Sequence, residues 1–279
     1  MRALAVHTDV IVLVSRVWQT TCTAVRAGAE GFVIDSPVDP DELDALPGLL
    51  EQSGFPVSGL LATHADWDHL LGRLAFPGAP LGCGESTEAR LAAEPGGAQR
   101  ALRAFDEEQY IERAAPLGLG LGRLQALPVP GRLSLGDEHE IELHPAGGHT
   151  ADGTAYWLPW TSVLVCGDYL SPVEIPVISD GGSLDEYAAT LARLRSLVEQ
   201  SETVVPGHGA PLRRERAAVV IGEDIAYLEA LGREGADAPL PPGRRTPTQQ
   251  RIHAENARRV AANGSKGSPP ATRGGLAST

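Results

Sequence analysis

Short apolar runs rich in β-branched residues open the chain. Val10–Val14 and residues 21–26 and 31–35 predict strands, the last two split by the turn Ala27-Gly28-Ala29-Glu30. Residues 40–52 suit a helix with acidic residues in its first turn, where the helix dipole favours them, and Pro47 predicts a break within it. Residues 57–63 (VSGLLAT) read as a buried strand, followed by helices over 85–94 and 99–114, the second a solvated face of mixed charge. A second set of strands follows at 125–129, 139–144, 155–158 and 162–166. Residues 183–200 carry a capping box, Ser183 with Glu186, and an apolar stripe of Leu184, Tyr187, Leu191, Leu194 and Leu197. A short strand at 203–205 and helices at 213–231 and 247–262 complete the pattern, and the Gly/Ser/Pro-rich residues 263–279 predict a disordered tail. Strands followed by helices therefore occur twice. Two such halves stack as helix, sheet, sheet, helix. The expected organisation is a catalytic domain over 1–231, a helical extension over 232–262 and the tail.

Composition narrows the class. The chain has 279 residues and a formal net charge of −13, which argues against the basic footprint of a nucleic-acid binder but does not identify a substrate; the expected partner is a small-molecule substrate. Cys22, Cys83 and Cys166 are odd in number and widely spaced, so no disulfide framework is expected. No stretch reaches the roughly 20 apolar residues of a membrane span, and the start lacks the features of a signal peptide. These readings predict a cytoplasmic protein without a membrane partner, with oligomeric state left open.

The chemistry concentrates in four islands. Thr63-His64-Ala65-Asp66-Trp67-Asp68-His69 puts four potential metal ligands directly after an apolar strand. Alternation along an extended segment places His64, Asp66 and Asp68 on one side, with His69 turning into the next loop. Gly148-His149-Thr150, Gly167-Asp168-Tyr169 and Gly207-His208-Gly209 each follow a strand, with glycine permitting close backbone approach. Imidazoles with carboxylates suit zinc, iron or manganese. Tyr169, beside Asp168, is a candidate oxyanion donor or a packed tyrosine, and Trp67 either packs under the site or lines its mouth. His144 reads as buried support, His7 and His139 as surface residues, and His253 as a group on a solvated helix face or at the substrate mouth. Cys166 reads as core.

The four ordered motifs resemble those of the metallo-β-lactamase superfamily, HxHxDH, then GHT, GD and GH, across residues 10–211. The resemblance implies a four-layer αββα sandwich with a metal pair at one edge. By position, His64, Asp66 and His149 would hold one ion, Asp68, His69 and His208 the other, and Asp168 would bridge. The chain departs from the motif at Asp66, where a histidine is usual; a carboxylate there is harder and adds negative charge, favouring iron or manganese beside zinc. The implied activity is hydrolysis of an ester-like bond, a thioester or lactone first, in the manner of glyoxalase-II-like members, with Asp68 also orienting the attacking water. The alternatives are phosphodiester hydrolysis, β-lactam hydrolysis, and a non-catalytic or redox metal-binding protein. Specificity is expected in loops at 73–98 and 106–124.

Overall fold

A computed structural model describes residues 1–119 and 124–266. Thirteen strands form two sheets among the described residues. The first runs β1 (Arg2–His7), β2 (Val10–Val14), β3 (Thr21–Ala27), β4 (Glu30–Asp35), β5 (Gly59–Ala62), β6 (Leu81–Gly84) and β7 (Leu124–Leu127), in that spatial order. Its β1–β4 portion is antiparallel, and β4 to β7 pair in parallel. The second sheet has the order β13 (Leu212–Arg213), β12 (Thr203–Val205), β11 (Val163–Val165), β10 (Thr154–Leu158), β9 (His139–Pro145), β8 (Gly131–Leu135).

Strand alternation builds three apolar layers. Val10, Val12 and Val14 point between the sheets, while Ile11 and Leu13 point to the outer helices. In the second sheet, Tyr156 and Leu158 face the inter-sheet layer, and Ala155 and Trp157 face the opposite helices. A period of two with both faces covered requires apolar residues at every position, which is why these strands are continuous apolar runs. The helices α1 (Pro40–Gln52), α2 (Gly72–Ala75), α3 (Glu85–Ala93) and α4 (Gly97–Gln109) lie with the first sheet, and α5 (Leu184–Gln200), α6 (Arg214–Glu234) and α7 (Pro247–Lys266) with the second. This is the αββα sandwich.

Several expectations are corrected. Pro47 does not break α1, which is continuous over 13 residues; the burial of Leu43, Leu46 and Leu50 against the sheet outweighs the helix hydrogen bond that proline forfeits. The strands β1, β6, β8 and β13 escaped the apolar pattern because they are short or interrupted by glycine and polar residues. The helix expected to reach residue 114 stops at Gln109, capped by Tyr110 in the left-handed region (φ 54°). α7 continues to Lys266, into the expected tail, and residues 267–279 lie outside the described residues. No helix among the described residues is long and apolar enough to cross a membrane, and the three cysteines are free and buried.

Candidate metal centre

β4 and β5 run parallel in the first sheet, β9, β11 and β12 run alike in the second, and the segments that follow β5, β9, β11 and β12 meet at one edge of the sandwich. Open sheets place ligands beyond such ends. His64 follows β5, His149 follows β9, Asp168 follows β11 and His208 follows β12. The extended backbone expected through Asp68 holds only to Asp66 (φ −70°, ψ 140°). Trp67–His69 then form a 3₁₀ turn, which swings Asp68 and His69 away from His64 and Asp66 into a second group.

The structure brings together all seven residues. His64, Asp66 and His149 form one set, Asp68, His69 and His208 another, and His64, His69 and Asp168 a third that joins them. Asp66 Oδ2 lies 3.7 Å from His64 Nε2 and 3.5 Å from His149 Nε2. Asp68 Oδ2 lies 3.6 Å from His69 Nε2 and 3.5 Å from His208 Nε2. Asp168 reaches both sets: Oδ1 is 3.2 Å from His69 Nε2, and Oδ2 is 3.3 Å from His149 and 3.4 Å from His208. Gly207 makes this possible, since a Cβ there would collide with the Asp168 carboxylate. At Gly148 (φ 119°) a Cβ would strike the backbone of Tyr187.

Each ring nitrogen facing away from the centre has a polar neighbour. His64 Nδ1 lies 3.0 Å from Thr63 Oγ1, His69 Nδ1 3.0 Å from Asp35 Oδ2, and His149 Nδ1 2.7 Å from the Val177 carbonyl. His208 Nδ1 lies 3.2 Å from the Trp18 carbonyl and 3.4 Å from Thr20 Oγ1. Such partners fix ring orientation and leave Nε2 to coordinate. By contrast, His64 Nε2, His69 Nε2, His149 Nε2 and Asp168 Oδ1 are buried with no hydrogen-bond partner. Buried polar atoms are almost always satisfied, so four converging orphans fit a cation.

Electrostatics agree. Burial opposes protonation of His149 and His208, but carboxylates outweigh it, chiefly Asp66 and Asp168 for His149 and Asp168 and Glu174 for His208. Their pKa values rise to about 9 and about 10. His69 shifts upward for the same reason, against Asp168, Asp68 and Asp35. Burial resists ionisation of Asp168 and Asp66, yet the imidazoles hold both well below the usual carboxylate range.

Several participants were not visible in the sequence. Asp35, at the end of β4 in the left-handed region (φ 58°), accepts from Thr63 N (2.8 Å) and Thr63 Oγ1 (2.9 Å) besides facing His69. The available signal was an aspartate closing an apolar strand, as at Asp168. Asp152 accepts from Ala65 N (2.8 Å) and from Arg90 (2.8 Å). The 171–178 loop supports both sides of the site: Ser171 Oγ donates to the His208 carbonyl, and Val177 offers its carbonyl to His149. α7 in turn holds that loop, where Gln249 accepts from Ile175 N, and Asn256 accepts from Ile178 N and donates to the Pro176 carbonyl. Glu174 on the same loop has its carboxyl pushed up by burial, with His208 opposing.

Tyr169 is placed differently from an oxyanion donor. Its hydroxyl accepts from His149 N and donates toward the carbonyls of Ala146 and Gly147, which makes it a strut for the loop. Trp67 packs against Phe105 and against Trp18, whose indole is half exposed. Among the remaining histidines, His144 lies beside Glu142, His7 accepts from Asp9 N and His139 stacks on Trp160, all away from the centre. His253 is bound between Tyr227 and the Ala236 carbonyl. Cys166 lies in the core.

The sequence profile of the metallo-beta-lactamase superfamily matches residues 15–208. The chain belongs to that superfamily. Solved structures with the same fold include the DIM-1 metallo-beta-lactamase (19% identity, TM-score 0.57, covering 79% of this chain and 95% of that one) and a metallo-beta-lactamase from Pontibacter korlensis (17%, 0.57, 79% and 97%). Another is TTHA1623 in a di-iron-bound form (22%, 0.58, 74% and 96%).

Proposed function

We propose that this protein is a cytoplasmic binuclear metallohydrolase acting on an ester-like bond of a small molecule, with a thioester or lactone as the leading substrate class. The observation that carries the reading is the convergence of four partnerless buried atoms, three imidazole Nε2 and Asp168 Oδ1, on one point of the sheet edge. His64, Asp66 and His149 would hold one divalent ion, Asp68, His69 and His208 the other, with Asp168 between them. Four imidazoles favour zinc, and the three carboxylates also suit iron or manganese. Bound there, the ions supply Lewis acidity, polarising the substrate oxygen and making water acidic enough to attack near neutral pH.

The chain's own groups do the rest. Asp68 directs one oxygen at His69 and His208, leaving the other to orient the attacking water. Tyr169 fixes the loop that carries His149. Trp18, Trp67 and Phe105 form an aromatic wall beside the centre, suited to the apolar part of an acyl substrate. The glyoxalase-II-like affinity of the motifs supports the thioester, and the net charge of −13 weighs against nucleic acid. The free, buried cysteines support a cytoplasmic location.

The test is elemental analysis followed by hydrolysis assays. Two metal ions per chain, with turnover of a generic thioester or lactone abolished in Asp168→Asn, are expected. Absence of bound metal after reconstitution would overturn the proposal. A di-iron content without hydrolysis would favour a redox role instead; the carboxylate of Asp66 suits iron, and TTHA1623 has been solved in a di-iron-bound form.

A further inference from the structure

Asp66 stands where the superfamily motif usually has histidine, and its two oxygens face different partners. Oδ2 points to His64 and His149 at 3.7 and 3.5 Å. Oδ1 accepts from Arg90 Nη2 at 2.7 Å. Arg90 comes from α3, inside the 73–98 segment where specificity is expected. Its Nη1 donates to Asp152 Oδ1 at 2.8 Å, and Asp152 Oδ2 accepts from Ala65 N at 2.8 Å. The chain of contacts thus returns to the backbone between His64 and Asp66, closing a ring that fixes Asp66 from both its side chain and its neighbour's main chain.

We infer that Arg90 is a positioning residue for the first metal position, and that Arg90 with Asp66 replaces a neutral imidazole as one unit. The inference rests on the metal-binding reading of the site. An unrestrained carboxylate has a soft terminal torsion and can offer either oxygen or both. A charge-assisted bond from a guanidinium removes one oxygen from that choice and leaves the other as a single donor. Arginine is always protonated, so its charge offsets the one Asp66 adds. The pair of Asp66 and Arg90 then presents a hard oxygen with no net charge, as an imidazole would. The bond from Nη2 is useful only while residue 66 is a carboxylate, whereas the bond from Nη1 to Asp152 persists with either residue.

The test is a four-way cycle on the full chain: parent, Arg90→Met, Asp66→His and the double variant. Metal-free protein is titrated with zinc and with manganese against a chromophoric chelator, and the step that disappears in His149→Ala marks the first position. In the parent background, Arg90→Met should weaken that step by roughly 10-fold, the lower end of what outer partners of metal ligands cost. In the Asp66→His background the same change should cost clearly less, only what the Arg90–Asp152 bond contributes. An equal loss in both backgrounds, or no loss in the parent, overturns the inference while leaving the metal centre standing. A parent chain that binds no ion overturns both.

Circular dichroism and thermal midpoints of the metal-free variants report folding. Should Arg90→Met not fold, Arg90→Lys serves in its place in both backgrounds. Its ammonium cannot bridge Asp66 and Asp152 in the guanidinium's forked geometry, so it should lose clearly more affinity in the parent background than in the Asp66→His background. Equal losses in both backgrounds again overturn the inference.

Discussion

The two halves of the candidate centre differ in what holds them. Asp68, His69 and His208 lie among buried groups: His69 is fixed by Asp35, itself held by two bonds from Thr63, and His208 by the 18–20 turn. All of these residues fall within the superfamily match. In the other set His64 is buried against Thr63, but Asp66 and His149 depend more on the periphery. Asp66 is a quarter exposed and leans on Arg90 of a surface helix, while His149 leans on Val177 in a loop that α7, beyond the match, holds in place. On the proposed metal-binding reading, the second position is built mainly into the sandwich, with Ser171 added at the His208 carbonyl, and the first leans more on additions to it. The first is then where metal preference should be adjustable by substitution far from the ions.

The largest expected effect erases that difference. Asp168 faces both sets, so Asp168→Ala should remove both ions and lower hydrolysis by more than the roughly 10–100-fold that an outer partner costs. Metal content and turnover measure this. Retention of either ion at full affinity would mean that Asp168 belongs to one set only.

Asp35→Asn should separate the halves from the other side. Asparagine tolerates the left-handed backbone at this position, so the variant removes charge from the partner of His69 Nδ1 with little backbone strain. The second position should lose about 10-fold or more in affinity, and the first less, through Thr63 Oγ1, which joins Asp35 to His64 Nδ1. Chelator competition resolves the two steps. Equal losses would show that the halves are coupled through Asp168.

The converse variant is Asn256→Ala in α7. It leaves Ile178 N and the Pro176 carbonyl without their buried partner, which costs about 1–3 kcal/mol of stability. The first position should weaken by less than about 10-fold as the Val177 carbonyl drifts from His149. Thermal unfolding and metal titration together check this. An intact first position despite the lost stability would make α7 a purely structural helix.

The contrast explains what the sequence revealed. All seven candidate ligands were legible because each lies in a short motif whose neighbours, a strand before and a glycine beside, are local. The two-sheet stacking followed from the repeated strand–helix order and from uniformly apolar runs such as Val10–Val14. The supports were not legible, since their partners are remote: Asp152 meets Ala65 across 87 positions, and Asn256 meets Ile178 across 78. Tyr169 misled because adjacency to Asp168 says nothing about direction, and its ring points to the loop of His149 instead. The 3₁₀ turn at Trp67–His69 is hidden for a related reason, because the extended backbone ends at Asp66 and alternation does not carry on to Asp68.

The smallest effect sharpens the comparison through pH. The ordinary imidazole pKa is about 6.5, and here it is raised to about 9 at His149 and about 10 at His208 in the metal-free protein. A pKa raised on folding contributes stability that is fully present below the unfolded value and is lost as pH rises through the folded one. Metal-free protein should therefore lose thermal stability between about pH 7 and about pH 10 from these two groups. Metal binding has the opposite dependence, because coordination requires neutral imidazole and displaces the proton. Apparent affinity should rise across the same window at both positions, since each carries an imidazole whose pKa is raised by the carboxylates. Thermal midpoints with chelator present, and proton release on metal addition in buffers of different ionisation enthalpy, measure the two slopes. A metal-free midpoint that rises with pH would mean that the carboxylates do not hold charged imidazoles in place, and the two positions would then differ in their supports but not in their charge.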